Sequence, residues 1–248
     1  HVWDSFHYVV GVKYFPELGY TGLYEAALAA ERAAGLLPPG TTVPLRNLAT
    51  NAIETTSADD ALARWPARLG PRWEAFVTDV LWFRAEAGAE TFRRFLLDHG
   101  YNATPAWGVL GGLLARLAGP ATDGSVRALA LLDPLLLLGA WLLVFRAFGF
   151  RAACVALVFW GTNFPARFDW NGGSFLRMDW LAAAMSGVAL LKLGRPRLAG
   201  AALGLSTLLR LFPGALLLGL GAAARFLLVR ERRLEAVRTD LGVAQGAL

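Results

Sequence analysis

The chain has a single cysteine, Cys154, which excludes an internal disulfide and any metal site built from several thiolates. It lies in an apolar run, where a thiol behaves as a small inert hydrophobe. Charge is scarce as well: Asp, Glu, Lys and Arg make up 17% of the 248 residues, against about a quarter in ordinary soluble domains. Catalytic signatures are missing too. There is no Gly-x-Ser-x-Gly elbow, no Walker loop, no dinucleotide fingerprint after a strand and no His-Glu-x-x-His, and His1, His7 and His99 lack metal-ligand spacing. No charged segment followed by a short apolar one opens the chain, so no signal peptide is read. Since it starts at His1, further residues are expected before it, a membrane span among them.

What is present is apolar. Hydrophobic residues make up 56% and the mean hydropathy is +0.44, which excludes a disordered chain and argues against an ordinary soluble domain. A net charge of +5 suggests nucleic acid only until it is located along the chain. Residues 1–105 hold twelve acidic and nine basic side chains, and residues 106–248 hold seven and fifteen. The basic half is also the apolar half, and arginines between long apolar runs flank membrane spans rather than form a nucleic-acid face.

The first hundred residues are amphipathic. Phe6, Val9, Val10 and Tyr14 recur at helical spacing up to Pro16 and Gly19 and read as a short surface helix. Thr21 is placed to cap a second helix to about Ala34, residues 38–57 read as loop, and Ser57 with Asp60 is capping-box-like. Pro71 opens a helix with Trp73, Phe76, Val77, Val80 and Leu81 on one stripe, and Phe92, Phe95 and Leu96 continue the pattern. These stripes fit both a small helical core and helices in the membrane interface.

From Pro105 the texture changes to apolar runs at about 105–118, 126–147, 152–166, 178–193, 197–209 and 213–229. One of them reaches the roughly 20 residues of a perpendicular span; the others need tilt or flanking extension. The charge pattern becomes consistent if 105–118 lies in the interface and the chain reverses at Arg210 to Pro213. Arg146 with Arg151, then Lys192, Arg195 and Arg197, then Arg230, Arg232 and Arg233 all fall on one side, the cytoplasmic one by the positive-inside rule. The expected fold is therefore an all-α polytopic membrane helical bundle with an extracytoplasmic helical loop domain. Residues 1–104 form that loop, 105–118 an interfacial helix, 126–229 a bundle of about five spans, and 230–248 a basic cytoplasmic tail.

This topology gathers Asp4, His7, Tyr101, Asn102, Arg167, Asp169, Asn171, Arg177, Asp179 and Arg210 at the outer face. Most charged residues at span ends are solvated or paired flanks. Arg210 differs, since it sits between Leu208, Leu209 and Leu211, Phe212, where a guanidinium is costly without a partner or a wet cavity. A phosphate at headgroup level suits it, bound in a bidentate fork. Asp133-Pro134 reads first as a cap on a proline break and second as a group facing the same cavity, and Asn102-Ala103-Thr104 as a chance match to a glycosylation acceptor.

The order of these features resembles the GT-C superfamily of polytopic glycosyltransferases that use polyprenyl-phosphate sugars, in particular bacterial mannosyl- and aminoarabinose-transferases. The likeness rests on Asp4 in His1-Val2-Trp3-Asp4-Ser5-Phe6-His7-Tyr8, on the Pro-containing segment Ala103-Thr104-Pro105-Ala106-Trp107, on Asp179 in Leu176-Arg177-Met178-Asp179-Trp180, and on Arg210-Leu211-Phe212-Pro213. The chain departs from the family in lacking the first span and the later spans, in having one acid where many members have a pair, and in carrying Ala103 and Thr104 where a lysine and a second proline are usual.

The resemblance implies transfer of a sugar from a polyprenyl-phosphate donor to an extracytoplasmic acceptor, with inversion. Asp4 would be the catalytic base, Arg210 and Arg177 would hold the donor phosphate, and Asp179, His7, Tyr101, Asn102 and Asp169 would bind or orient substrate. The implied partners are a polyprenyl-phosphate-linked sugar, the lipid bilayer and an acceptor of open identity, without nucleic acid. No cofactor is called for, no residue is assigned to a metal, and a divalent-metal requirement stays open. The alternative is a noncatalytic membrane scaffold binding a partner through the outer helical domain.

Overall fold

Leucine- and alanine-rich sequence with few β-branched residues favours helix, and 73% of the described residues are helical. The computed structural model describes residues 2–162 and 173–231 together with Gly242 and Gly246. It divides into two units, His1–Leu131 and Leu132–Leu248.

In the first unit the chain runs through α1 (Val2–Ser5), a π-helical turn (Phe6–Val10), α2 (Gly11–Lys13) and α3 (Phe15–Leu18). The stripe Phe6, Val10, Tyr14 is buried to within 1%. It is a central core helix and not the surface helix that its spacing suggests, because Phe83, Phe92 and Phe95 close over Phe6 at ring-centroid distances of 5.8, 5.1 and 5.6 Å. Helix α4 (Leu23–Ala33) starts after Gly22 rather than under a Thr21 cap. Gly22 faces the Trp65 ring so closely that a Cβ there would overlap it.

Residues 38–57 are not all loop. Strands β1 (Thr42–Arg46) and β2 (Ile53–Ser57) form an antiparallel hairpin with Pro44 opposite Thr55. Val43 and Leu45 face inward while β2 stays largely exposed. Ser57 then caps α5 (Ala58–Leu69), its hydroxyl accepting from the Asp60 N–H at 3.2 Å.

Helices α6 (Trp73–Ala87) and α7 (Ala89–Phe95) complete this core. On α6 the buried positions are Phe76, Asp79, Val80 and Phe83, one helical face carrying a carboxylate in its middle. Asp79 accepts from the Lys13 ammonium (2.6 Å), the Tyr14 hydroxyl (2.8 Å) and the Ala121 N–H (2.7 Å), and Lys13 also donates to the Gly119 carbonyl (2.7 Å). Thr104 caps α8 (Pro105–Leu117) through the Trp107 N–H, and Pro105 stands in its first turn. Trp107, Gly111 and Ala115 of α8 are buried, while Val109, Leu113 and Leu117 point outward. Helix α9 (Asp123–Ala130) opens with a Thr122–Ser125 capping box.

The second unit begins with α10 (Leu132–Gly161). Among the described residues one helical stretch, Asp123–Gly161, qualifies by length and composition to cross a membrane, with 39 residues and a mean hydropathy of 2.2 in its most apolar window. Gly149 interrupts it at φ 81° and ψ 169°, a backbone conformation that suits glycine. The Trp141 and Trp160 rings then stand 5.9 Å apart, where a straight helix would separate them by about 28 Å. The chain therefore folds back at Gly149, inside the Arg146 to Arg151 turn expected from the charges.

Among the described residues three further helices follow, α11 (Asp179–Lys192), α12 (Pro196–Leu209) and α13 (Gly214–Glu231). Their bounds track the apolar runs at 178–193, 197–209 and 213–229. Helices α11 and α12 approach closely where Gly187 faces Leu203; a Cβ on Gly187 would lie 2.6 Å from Leu203 Cγ. Small residues at such a contact let helix backbones draw together.

Candidate functional site

The residues expected to act fall in both units, and each group is described within its own. In the second unit, α10 delivers Asp133 at its first turn, α11 opens with Asp179, and α12 ends at Leu209 with Arg210 just beyond it. Arg210 has extended backbone (φ −146°, ψ 131°), so the helix stops there, before Pro213, as the sequence suggests.

A short hydrogen-bonded path ties Arg210 to the start of α11. The Arg210 N–H donates to the Ser206 carbonyl (2.9 Å), and the Ser206 hydroxyl donates to the Trp180 carbonyl (2.7 Å). Phe212 packs edge-on against Trp180 at 4.6 Å. This brings Arg210 near Asp179, on which both Arg210 and Arg177 act electrostatically. One Asp179 oxygen accepts from the Trp180 N–H (2.8 Å); the other has no hydrogen-bond partner among the described residues.

Asp133 joins this cluster. It is fully buried, and one of its oxygens accepts from the Arg177 N–H (2.7 Å) and the Met178 N–H (3.0 Å). The first reading of Asp133-Pro134, a cap on its own proline break, gives way to a tie across 44 residues of sequence. The Asp-Pro pair inside a leucine run was the available signal, but nothing local identifies its partner.

Beside the cluster the second unit is apolar. Leu137 and Ala140 of α10 pack on Met178 and Ala182. From there a cavity of about 480 Å³ extends between Trp141, Phe148, Trp160, Leu181 and Met185. Its lining starts at Leu181, two positions after Asp179.

In the first unit the expected residues are spread between core and surface. Asp4 is half-buried on α1, one turn before His7. His7 is buried at 2% exposure in the π-helical turn, away from any solvent-facing site. Its Nδ1 lies 2.9 Å from the Trp3 carbonyl, and its Nε2 lies 2.9 Å from the Tyr24 hydroxyl and 3.2 Å from the Phe95 carbonyl.

A neutral ring satisfies the closest two of these contacts, Nδ1–H donating to Trp3 and Nε2 accepting from Tyr24. Burial depresses the His7 pKa below its ordinary value, outweighing the opposing pull of Asp98, the Phe95 carbonyl and Asp4. Asp98 accepts from the Trp3 indole (2.6 Å). Its burial works against ionisation, but that bond and the His99 N–H outweigh it and hold the carboxyl below its usual range.

Tyr101 is buried in an aromatic group with Tyr8, Tyr20 and Trp107, and burial raises its pKa. Asn102 is exposed, its side-chain carbonyl accepting from the Tyr8 hydroxyl at 2.5 Å. Asp169, with Arg167 and Asn171, lies outside the described residues.

Compared with protein-family models, with curated proteins and with solved structures, the chain finds no match. Function therefore rests on the chemistry of the residues. On the stripe Trp73, Phe76 and Val80 of the first unit, Phe76 and Val80 are fully buried and serve the core. No group of three or more potential metal ligands occurs among the described residues.

Proposed function

We propose that the protein is a membrane glycosyltransferase that moves a sugar from a polyprenyl-phosphate donor to an extracytoplasmic acceptor with inversion. One observation carries the reading: Ser206 and Phe212 tie the Arg210 end of α12 to Trp180 at the start of α11, beside Arg177 and Asp179, in an apolar helical unit whose cavity of about 480 Å³ is lined from Leu181 onward. Two guanidiniums suit a phosphate, an apolar channel suits an isoprenoid chain, and a lipid phosphate presents both at once.

In this reading the helices of the second unit lie in the bilayer, the shorter ones extended by their flanking residues or met by a locally thinner bilayer. Residues 1–104 are extracytoplasmic, and the basic turns at Arg146 to Arg151 and Lys192 to Arg197, with the tail, face the cytoplasm. The acceptor hydroxyl oxygen attacks the anomeric carbon and gives its proton to a carboxylate base, the role for which the sequence resemblance nominates Asp4. The bond from that carbon to the phosphate oxygen breaks, and the electron pair leaves with the polyprenyl phosphate. Arg210 and Arg177 stabilise the charge that develops there, and Asp179 orients Arg210. Attack opposite the departing phosphate inverts the centre.

The test is binding of farnesyl phosphate to the purified protein and to its Arg210→Gln and Arg210→Lys variants. Gln is expected to lose binding while expression is kept, and Lys to recover part of it, since it restores charge without the bidentate fork. Equal affinity in all three refutes the phosphate site, because a guanidinium that merely ends a helix tolerates either replacement by reaching toward the interface.

A further inference from the structure

We propose that Asp133 is a positioning residue for this anion site: its carboxylate holds a left-handed turn at Leu176 and so fixes where Arg177 and Asp179 stand. The inference rests on the reading of Arg177, Asp179 and Arg210 as a phosphate site and adds to it a residue that touches no substrate.

Three observations converge. Leu176 is buried at φ 49°, a region that a leucine seldom enters because its Cβ crowds the backbone. The two N–H groups that follow it, of Arg177 and Met178, both donate to a single Asp133 oxygen at 2.7 and 3.0 Å. Met178 occupies the N-cap position of α11, and no side chain of its own segment caps that helix.

Helix starts leave their first N–H groups without intrahelical partners. Here N–H groups just ahead of the helix are answered by a carboxyl oxygen from another helix, 45 residues away in sequence. A buried carboxylate is costly unless hydrogen-bonded. These two bonds offset that cost and also hold the strained turn in place. Release of the clamp would let Leu176 leave the left-handed region, which swings the Arg177 side chain and the α11 start away from Arg210.

The experiment measures farnesyl phosphate binding to the purified full chain and to Asp133→Ala, Asp133→Asn, Asp133→Ala/Leu176→Gly and Arg177→Gln variants. Inorganic phosphate and farnesol report head group and tail separately. Loss of the clamp in Asp133→Ala should weaken binding about tenfold or more. Asparagine still presents one carbonyl oxygen to both N–H groups, and its loss should stay within about threefold. Glycine adopts positive φ without strain, so Leu176→Gly should return part of the affinity lost in the alanine chain.

Parental affinity in Asp133→Ala, with loss in Arg177→Gln, overturns the positioning role and leaves the phosphate site standing. Parental affinity in both removes the site itself. No recovery in the double variant also overturns the proposal. If the alanine protein does not fold, the asparagine protein decides. Tenfold weaker binding there would assign the effect to charge and overturn the clamp, whereas near-parental binding with slow hydrogen exchange at the Arg177 and Met178 amides supports it.

Discussion

Replacing Asp79 by alanine tests how the first unit is held together. Asp79 is 1% exposed and Lys13 9%. The carboxylate is the shared acceptor for the Lys13 ammonium, the Tyr14 hydroxyl and the Ala121 N–H. Asp79→Ala leaves the ammonium with the Gly119 carbonyl, and strips the hydroxyl and the N–H of the only acceptor found for them among the described residues. Removing one partner of a buried pair costs about 3–5 kcal/mol. The two orphaned donors push the expected loss toward the top of that range. Against the roughly 5–15 kcal/mol of a typical domain, this is a third or more of the stability.

The double variant Lys13→Met/Asp79→Leu removes both charges and fills the space with apolar atoms. It should lose less than Asp79→Ala alone, because an apolar replacement of a buried pair is often close to neutral. The assay is denaturant unfolding of the purified protein followed by tryptophan fluorescence, with the single and double variants closing a thermodynamic cycle. A loss below about 1 kcal/mol in Asp79→Ala refutes the reasoning, since a buried, unpaired ammonium cannot be that cheap. A double variant worse than Asp79→Ala would refute the pairing logic. The pair also matters beyond stability, because Gly119 and Ala121 flank Pro120 in the connector from α8 to α9, and Asp79 pins that connector to α6.

Three further outcomes are expected. Burial keeps His7 neutral in the fold, so an unfolded chain takes up its proton first as pH falls through 6.5; stability should drop from there downward by at most about 1.4 kcal/mol per pH unit. His7→Gln, which keeps a donor for Trp3 and an acceptor for Tyr24, should flatten the fall in stability below pH 6.5, and identical slopes in the two proteins count against the assignment. Gly187→Ala should cost about 1–3 kcal/mol by forcing α11 off Leu203, and combined with Leu203→Ala the loss should be smaller than the two single losses together; additive losses would mean that the two residues do not meet. Asp4→Asn should fold normally and lower sugar transfer about 10²- to 10⁴-fold, while transfer at the parental rate would pass the role of base to Asp179.

Helices bounded by strong punctuation were legible in the sequence. The breaks at Gly194 with Pro196 and at Arg210 to Pro213 divide the apolar runs where the chain in fact leaves helix. The hairpin was not, because Pro44 and the Pro-Gly cluster before it are loop signals, and β1 is a strand only through its pairing with β2. Periodicity identified Phe6, Val10 and Tyr14 as one face of a helix. It could not say how much of the helix is covered, since Phe83, Phe92 and Phe95 come from some 80 residues further along.

Buried charge separates the residues that build this protein from those that are candidates to act in it, and local sequence ranks them poorly. Arg210 stood out among leucines. Asp133 stood out only through its proline, and Asp79 and Glu31 not at all, because the partners arrive from distant segments: Lys13 for Asp79, Arg84 and Arg93 for Glu31, and the Arg177 and Met178 backbone for Asp133. What distinguishes them in the fold is hydrogen-bonding capacity left over. Both oxygens of Asp79 are occupied by protein donors, as suits a structural tie. Asp179 keeps one buried oxygen without a hydrogen bond among the described residues, a cost that a purely structural carboxylate has no reason to carry. In Asp179 that spare capacity stands beside Arg177 and Arg210 and an apolar cavity. A ligand that brings a phosphate and an apolar chain to this place would engage the guanidiniums and the cavity together, and that coincidence, more than any single residue, singles out this end of the second unit.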